Sequence, residues 1–234
     1  RNAAGGEELR DTLCRESVTY TVRRNNIEVA ASHRFCNAAP VTIAIYYGMQ
    51  SMFEGETHVL TPGGAYTDWT EVAKASTFTK QEHPLFRRYV EKNRQGYQST
   101  WLLPDGLGDH ALLDGQDDIF IYAPYGKSYH KLIGNKRIKN GDKTCWRGVY
   151  TWFETPIADD ADLLCYEGSA GGHTAVFIDC KRACKRTLAL PGYLDLRHFG
   201  TAEQNGGIRI SAAGRNKLKI KAGAPGSCVL LLRE

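Results

Sequence analysis

Apolar and polar residues alternate with a period of two along the first quarter of the chain, which places the apolar ones on one face of a pleated strand. The pattern predicts strands over residues 18–22, 27–35 and 41–49. Asn25-Asn26, which tolerates positive φ, supplies the first turn, and residues 37–40 supply the second. These segments predict a meander of antiparallel hairpins.

Short alternating or aromatic segments continue to the C-terminus, separated by glycine-rich turns. More than a dozen short strands with little helix predict an all-β fold, and we expect a large antiparallel β-sandwich of the supersandwich type. The single exception is a predicted short helix near residues 84–92, where Pro84 can occupy the first turn. Turn spacing stays even throughout, so we expect residues 1–234 to form one domain, complete or cut from a longer chain.

Composition limits the partners of the chain. The net charge of +4 is small and the basic residues are scattered along the sequence, so no nucleic-acid partner is expected. No apolar run approaches the ~20 residues needed to cross a bilayer, so no membrane partner is expected either. Seven widely spaced cysteines do not describe a disulfide scaffold and favour a reducing, cytoplasmic compartment.

Several familiar catalytic signatures are absent from the sequence. There is no phosphate-binding GxxxxGK[ST], no dinucleotide-binding GxGxxG after a strand, no HExxH and no GxSxG. We therefore expect no cofactor and assign no metal ligands. The aspartates of residues 105–118 are an alternative calcium site, although their spacing does not match the DxDxDG loop.

Three residues are the candidate catalytic groups, because a histidine and a glutamate brought together can transfer protons to and from a sugar. They are His58, His130 and Glu154. The alternative for each histidine is a partly buried ring bonded to a backbone carbonyl. The alternative for Glu154 is a solvated carboxylate at a strand end.

The candidate ligand-binding residues combine carboxylates, a histidine and indole rings, since flat aromatic faces stack on the C–H faces of sugars while polar groups bond the hydroxyls. They are Glu54, Glu56, Asp68, Trp69, His110 and Trp146. We expect the first four to gather with His58 where the strand over residues 41–49 ends. Packing of the tryptophans in the core is the alternative.

The early meander, NNIEVAASHRFCNAAPVTIAIYYGMQSMF, resembles galactose-mutarotase-like β-supersandwich proteins. In that family a strand is followed by N-x-x-x-x-P and then by a strand with an HxYF-like aromatic tail. The resemblance covers residues 27–53 and implies a protein that binds or acts on sugars, with histidines as acid and base and a glutamate partner. Gln50 stands where the family places a catalytic histidine, a departure that bears on epimerase activity rather than on sugar recognition.

Three functions follow from these observations. The first is a carbohydrate-recognising β-sandwich module, part of or partner to a carbohydrate-processing enzyme, with a sugar or oligosaccharide as ligand. The second is a catalytic epimerase, lyase or glycoside hydrolase that uses histidine and glutamate acid–base chemistry. The third is a structural or assembly domain whose aromatic residues are all core.

Overall fold

A computed structural model describes residues 2–4, 7–9, 12–75, 78–79, 87–103, 118–123 and 127–232. Within these residues the protein is built from antiparallel β-strands with one turn of 3-10 helix at Val72–Lys74 and no α-helix. None of these residues belongs to a helix with the length and apolar character that a membrane crossing requires. The predicted all-β antiparallel fold is confirmed.

The strands, in chain order, are β1 (Asn2–Ala4), β2 (Glu7–Leu9), β3 (Cys14–Arg23), β4 (Asn26–Phe35), β5 (Val41–Ser51), β6 (His58–Leu60), β7 (Thr70–Glu71), β8 (Phe78–Thr79), β9 (Arg88–Lys92), β10 (Tyr97–Leu102), β11 (Asp118–Ala123), β12 (Lys127–Ile138), β13 (Lys143–Phe153), β14 (Ala158–Asp159), β15 (Leu163–Ala170), β16 (His173–Cys180), β17 (Cys184–Ala189), β18 (Phe199–Gln204), β19 (Arg209–Gly214), β20 (Lys217–Ala222) and β21 (Gly226–Leu232).

Four sheets stack face to face, and a separate hairpin joins β1 to β2. The seven-stranded sheet β3-β4-β13-β10-β9-β6-β7 packs on one face against the four-stranded sheet β5-β12-β11-β8. Its other face packs against the five-stranded sheet β14-β15-β16-β21-β18. The three-stranded sheet β17-β20-β19 covers the remaining face of the five-stranded sheet. The sandwich therefore has four layers and three hydrophobic interfaces.

The five-stranded sheet has no solvent-facing side. On β15, Leu163 and Cys165 pack towards the three-stranded sheet, while Leu164 and Tyr166 pack towards the seven-stranded sheet. Successive residues point to opposite faces, so a strand buried on both sides is apolar at almost every position. Each fully buried side chain of this size contributes roughly 1.5–3 kcal/mol, which makes this sheet the centre of the hydrophobic core.

A column of four stacked aromatic rings crosses the interface between the seven- and five-stranded sheets. Tyr97 lies on Phe153 with ring centroids 4.8 Å apart, Phe153 on Tyr166 at 4.3 Å, and Tyr166 on Phe177 at 4.7 Å. The planes differ by no more than 8°. At the inner end of the column the Arg88 guanidinium lies 4.9 Å from the centre of the Phe177 ring.

Arg88 also forms the most deeply buried ion pair of the described residues, with Asp179. Its guanidinium donates a second hydrogen bond to the Tyr166 hydroxyl at 3.0 Å. Burial alone would lower the pKa of Arg88, but the adjacent carboxylate raises it above its ordinary value. Burial raises the pKa of Asp179 to about 6, against the attraction of Arg88. Both groups are therefore charged at neutral pH, and each depends on the other in a site with 2% side-chain exposure.

The predicted helix near residues 84–92 is wrong for Arg88–Lys92, which form β9; residues 84–86 lie outside the described part of the chain. Both faces of β9 are buried. Arg88 and Val90 pack towards the five-stranded sheet, whereas Tyr89 and Glu91 lie on the opposite face. Because apolar side chains occupy both faces, the sequence lacks the alternation of a half-buried strand and imitates helical spacing.

The first predicted turn is found close to its expected place. The β3–β4 hairpin turns at Arg24 and Asn25, with Arg24 at φ 45°, one residue earlier than the sequence predicts. The β12–β13 hairpin turns at Asn140 and Gly141, where Gly141 takes φ 93°. Asn135, within β12, also takes a positive φ of 49°.

All seven cysteines are free thiols. Three of them, Cys165, Cys180 and Cys228, are buried, and the others are half-buried. The Cys184 Sγ lies 3.8 Å from the Cys180 Sγ across the turn between β16 and β17. The buried thiols pack among aliphatic side chains of the interface between the five- and three-stranded sheets.

Candidate functional site

A groove opens at the end of the seven-stranded sheet where four turns meet. The turns are residues 24–25, 52–57, 93–96 and 154–157, which connect or follow β3, β5, β9 and β13. Two adjoining depressions of about 640 and 600 Å³ share Asn93 and Gln95. We call their combined surface the turn groove; it is lined by Asn25, Phe53, Glu54, Gly55, Thr57, Asn93, Arg94, Gln95, Gly96, Tyr97, Trp152, Phe153 and Glu154.

Asn93 organises the floor of the turn groove. Its side-chain oxygen accepts hydrogen bonds from the backbone N–H groups of Gln95 and Gly96 at 2.7 and 3.0 Å. Its amide group donates to the Glu54 carbonyl at 2.9 Å. An asparagine that bonds its own turn in this way fixes the loop geometry. The β9–β10 turn and the segment after β5 are thus joined, and the Gln95 side chain remains exposed between them.

Trp152 provides the flat surface of the turn groove. It is half-buried on β13, and its ring stacks on Tyr150 with centroids 6.0 Å apart. Backbone hydrogen bonding to Asn25 holds this end of β13 in place, with Trp152 N donating to the Asn25 carbonyl at 2.9 Å. Phe53 adds a second half-buried ring, and the Glu154 carboxylate is exposed beside them. Aromatic faces and exposed carboxylates therefore share one concave surface.

Of the predicted ligand-binding and catalytic residues, Glu54 and Glu154 line the turn groove. They come from segments about one hundred residues apart. The pairing of β13 with β10 places Glu154 near the β9–β10 turn, and Asn93 of that turn donates to the Glu54 carbonyl. Neither predicted catalytic histidine lines the groove with Glu154. The predicted set is thus divided among several places.

Asp68 and Trp69 belong to an ionic cluster around Asp159, on the face of the seven-stranded sheet that contacts the five-stranded one. The Trp69 indole N–H donates to Asp159 at 3.0 Å, and Lys181 Nζ lies 2.8 Å from the same carboxylate. Lys181 also lies 3.4 Å from Asp68, and Lys92 Nζ lies 4.3 Å from the centre of the Trp69 ring. The cluster links strands of two sheets.

The charges of Asp159 and Lys181 in this cluster are paired with each other. Although burial raises the pKa of Asp159, the hydrogen bonds from Lys181 and Trp69 hold it below its ordinary value. The Tyr97 hydroxyl donates a further bond to the same carboxylate at 3.0 Å. Partial burial lowers the pKa of Lys92, which lies between Asp159 and Lys181. The indole N–H of Trp69 is therefore engaged within the protein rather than presented to a ligand.

His58 and Glu56 lie near each other in sequence but face different surroundings. His58 begins β6, in register with Lys92 and Glu71, and its Nδ1 lies 2.9 Å from the Thr57 hydroxyl. Glu56 is half-buried and its charge acts on Glu91, a fully buried carboxyl of β9. Lys92 lies near both His58 and Trp69, whereas Glu56 acts on the buried carboxyl of Glu91.

His130 and Trp146 lie in the interface between the seven- and four-stranded sheets. His130 is 1% exposed, its ring centre lies 5.5 Å from that of Tyr89, and burial lowers its pKa to about 3. It is therefore a neutral imidazole at physiological pH. Trp146 packs in the same core, and its indole N–H donates to the Tyr46 hydroxyl at 2.9 Å. His110 lies outside the described residues.

The same interface contains Glu91, a carboxyl that the sequence analysis did not single out. The Ser51 hydroxyl donates to it at 2.7 Å. Burial, and then the nearby charge of Glu56, raise its pKa to about 8. Glu91 is therefore mostly protonated at neutral pH and is stored in the core as a neutral acid.

The residues that sequence reasoning missed in the turn groove are Asn25, Phe53, Asn93, Gln95 and Trp152. Asn93 had a local signal, because the Asn-x-x-Gly spacing of residues 93–96 is typical of a tight turn. Trp152 had none, since its place in a long aromatic strand favours the core. Only the pairing of β13 with β4 and β10 shows that this strand end reaches the surface.

Within the described ranges no group of three or more histidine, cysteine, aspartate or glutamate side chains is placed to hold a metal ion. The aspartates of residues 105–117 lie outside those ranges. Comparison of the chain with protein-family models, curated proteins and solved structures gives no match. The function is therefore inferred from the chemistry of the groove itself.

Proposed function

We propose that the protein is a carbohydrate-recognising β-sandwich module and that the turn groove binds the sugar. The observation that supports this most directly is the combination of Trp152 and Phe53 with the exposed carboxylate of Glu154 in one concave surface. Small-molecule sites are concave, with apolar faces and a few polar groups that fix orientation. The resemblance of residues 27–53 to galactose-mutarotase-like proteins points in the same direction.

The chemistry of the groove suits a saccharide. A sugar ring has an apolar C–H face that stacks on an indole, and hydroxyls around its edge that bond carboxylates and amides. Trp152 supplies the flat face, while Glu54, Gln95 and Glu154 supply acceptors and donors at the rim. The groove is shallow and open along the turns, which suits a chain of several sugar units better than a single enclosed one.

Recognition is favoured over catalysis by the position of the histidines. General acid–base work requires a group within hydrogen-bond reach of the reacting atoms. His130 is buried and neutral, and His58 lies on β6 between Lys92 of β9 and Glu71 of β7; neither lines the groove with Glu154. The proposal therefore assigns Glu154 to binding a sugar hydroxyl rather than to proton transfer.

The test is a titration of the full chain with neutral oligosaccharides, followed by calorimetry and thermal shift. We expect Trp152→Ala to weaken binding at least tenfold and Trp152→Phe, which keeps a flat ring, to retain part of the affinity. Glu154→Gln should weaken binding less. A ligand present at 100 times its dissociation constant stabilises the native state by about 2.7 kcal/mol, which raises the melting temperature by a measurable amount.

The matched control is Tyr193→Ala, which removes an aromatic ring that is 70% exposed and does not line the groove. It should leave sugar affinity unchanged. If no sugar of the panel shifts the melting temperature of the wild-type chain, the carbohydrate proposal fails and the aromatic residues are structural. If sugars bind equally to wild type and Trp152→Ala, recognition occurs elsewhere.

A further inference from the structure

The outermost layer of the stack, the three-stranded sheet β17-β20-β19, has an apolar inner face and a basic outer face. Leu188, Leu218, Ile220 and Ile210 pack inwards on the five-stranded sheet. The residues between them point outwards and are exposed. We call this surface the lysine face; its five cations are Lys185, Arg209, Lys217, Lys219 and Lys221.

The strand register brings like charges directly opposite one another on the lysine face. Lys185 pairs with Lys221, and Lys221 pairs with Arg209, which gives a row of three cations across three strands. Lys219 and Lys217 continue the array along β20. Neighbouring strands are about 4.8 Å apart and alternate residues about 6.8 Å apart along a strand. Like charges placed opposite each other destabilise a sheet, so this array has a cost that packing does not explain.

The nearby acidic groups are already neutralised by other cations. Arg186 forms ion pairs with Asp160 and Asp162 at 3.0 and 2.9 Å, and Asp195 lies between Arg197 and Arg215. None of the five lysine-face cations forms an ion pair with any described residue. Strands β17, β19 and β20 contain no aspartate or glutamate.

The charge of this one surface exceeds that of the whole chain, whose net charge is +4. The basic residues are scattered along the sequence, because the five cations occupy alternate positions in three separate strands. Folding brings them together. The surface between them has a depression of about 620 Å³, in which Thr187 and Ser211 lie opposite Lys219 on either side and add hydroxyl groups to the ammonium groups.

We infer that the lysine face binds an extended acidic polysaccharide, one with carboxylate or sulfate groups along its chain. A flat lattice of cations is complementary to a linear polyanion that lies along it, and the hydroxyls of Thr187 and Ser211 can bond sugar oxygens. The choice of a glycan as the polyanion rests in part on the proposed function. The surface itself is separate from the turn groove and belongs to another layer of the fold.

Nucleic acid is disfavoured as the polyanion by two features of the lysine face. Proteins that bind single strands stack the bases on aromatic side chains, and β17, β19 and β20 contain none. Duplex recognition places a helix or a narrow ribbon in a groove, whereas a flat sheet face touches a cylinder only along a line.

The experiment measures the affinity of the full chain for polygalacturonate at salt concentrations from about 50 to about 200 mM, a range over which polyanion binding weakens strongly. The test variant is Lys185→Gln/Lys219→Gln/Lys221→Gln. Each basic residue near an anionic surface is worth about fivefold in affinity, so we expect binding about 100-fold weaker and a smaller salt dependence. Melting curves establish that the variant is folded.

The matched control, Arg137→Gln/Lys139→Gln/Lys143→Gln, removes the same charge from the β12–β13 hairpin and should bind polygalacturonate like the wild type. Equal losses in the two variants would show that net charge alone is responsible and would overturn the inference. So would tighter binding of a DNA duplex than of polygalacturonate at the same salt. Trp152→Ala separates the two proposals: acidic polymer binding that survives it, with neutral sugar binding lost, supports both sites.

Discussion

Strand β9 buries an ionisable side chain on each of its faces, and the two are accommodated in opposite ways. On one face Arg88 remains charged because Asp179 approaches it in the interface with the five-stranded sheet. On the other face Glu91 is neutral, because burial raises its pKa to about 8 in the interface with the four-stranded sheet. The first interface retains a charge by pairing it, and the second removes the charge by protonation.

The difference follows from what each neighbouring layer offers. The five-stranded sheet supplies a full counter-charge in Asp179 and a hydroxyl in Tyr166. The four-stranded sheet supplies the Ser51 hydroxyl, and the nearest charge is that of another carboxylate, Glu56. An unpaired ion in a protein interior costs several kcal/mol, whereas a protonated carboxyl requires only hydrogen bonds. The two faces should therefore respond to different perturbations.

The largest effect is expected for Arg88→Met, which leaves Asp179 as an uncompensated buried charge. The free energy of unfolding should fall by about 3–5 kcal/mol at neutral pH, since breaking a buried pair costs that much. Urea denaturation measures it. The double variant Arg88→Met/Asp179→Asn should recover most of the loss. The control is the exposed ion pair between Arg197 and Asp195, because Arg197→Met should change the free energy of unfolding little. A small loss in Arg88→Met would show that the pair is not the element that stabilises this interface.

Glu91 should make stability depend on pH in the opposite sense from a salt-bridged carboxylate. Because its pKa is raised to about 8 in the folded state, the native protein holds a proton that the unfolded chain has lost. Unfolding then releases a proton, so stability falls as pH rises from 6.5 to 8, by at most ~1.4 kcal/mol per pH unit.

That pH range separates Glu91 from His130, whose pKa is lowered to about 3. His130 is neutral in the folded protein and takes up a proton in the unfolded chain below pH 6.5, so it makes stability rise with pH only in the acidic range. Denaturation of Glu91→Gln should show a flattened profile between pH 6.5 and 8. An unchanged slope in this variant would contradict the assignment of Glu91 as a buried neutral acid.

A smaller effect is expected for Ser51→Ala, which removes the hydroxyl that donates to Glu91 at 2.7 Å. Loss of one partner of a buried polar group costs about 1–3 kcal/mol. Ser17→Ala, at an exposed position of β3, should be nearly neutral under the same denaturation conditions. Equal stability of Ser51→Ala and wild type would show that Glu91 does not rely on this bond.

The contrast between β4 and β9 shows which parts of the fold the sequence could predict. β4 exposes one face along part of its length, so its residues alternate and its boundaries were close to those predicted. β9 exposes neither face and its buried positions include an arginine and a glutamate, so no periodicity identified it. A two-residue alternation of apolar and polar residues identifies a strand only when one face of that strand is exposed to solvent.

The candidate site was predictable only in part for a related reason. Glu54 and Glu154 were identified because each ends a strand with a carboxylate, and both line the turn groove. Trp152 was not identified, because nothing local in the sequence shows that the end of its strand reaches the surface. Likewise, the lysine face depends on the register of three strands, which the sequence does not specify.

The lysine face has one more consequence, for the size of the molecule. Every other face of the five- and three-stranded sheets is covered by a further layer. A lattice of five cations, which form no ion pair with any residue that the structure describes, repels an identical lattice, so a second copy cannot add its own lysine face there. The described stack of sheets therefore ends at the three-stranded sheet, because its outer face is too strongly charged to pack against the same face of a second copy.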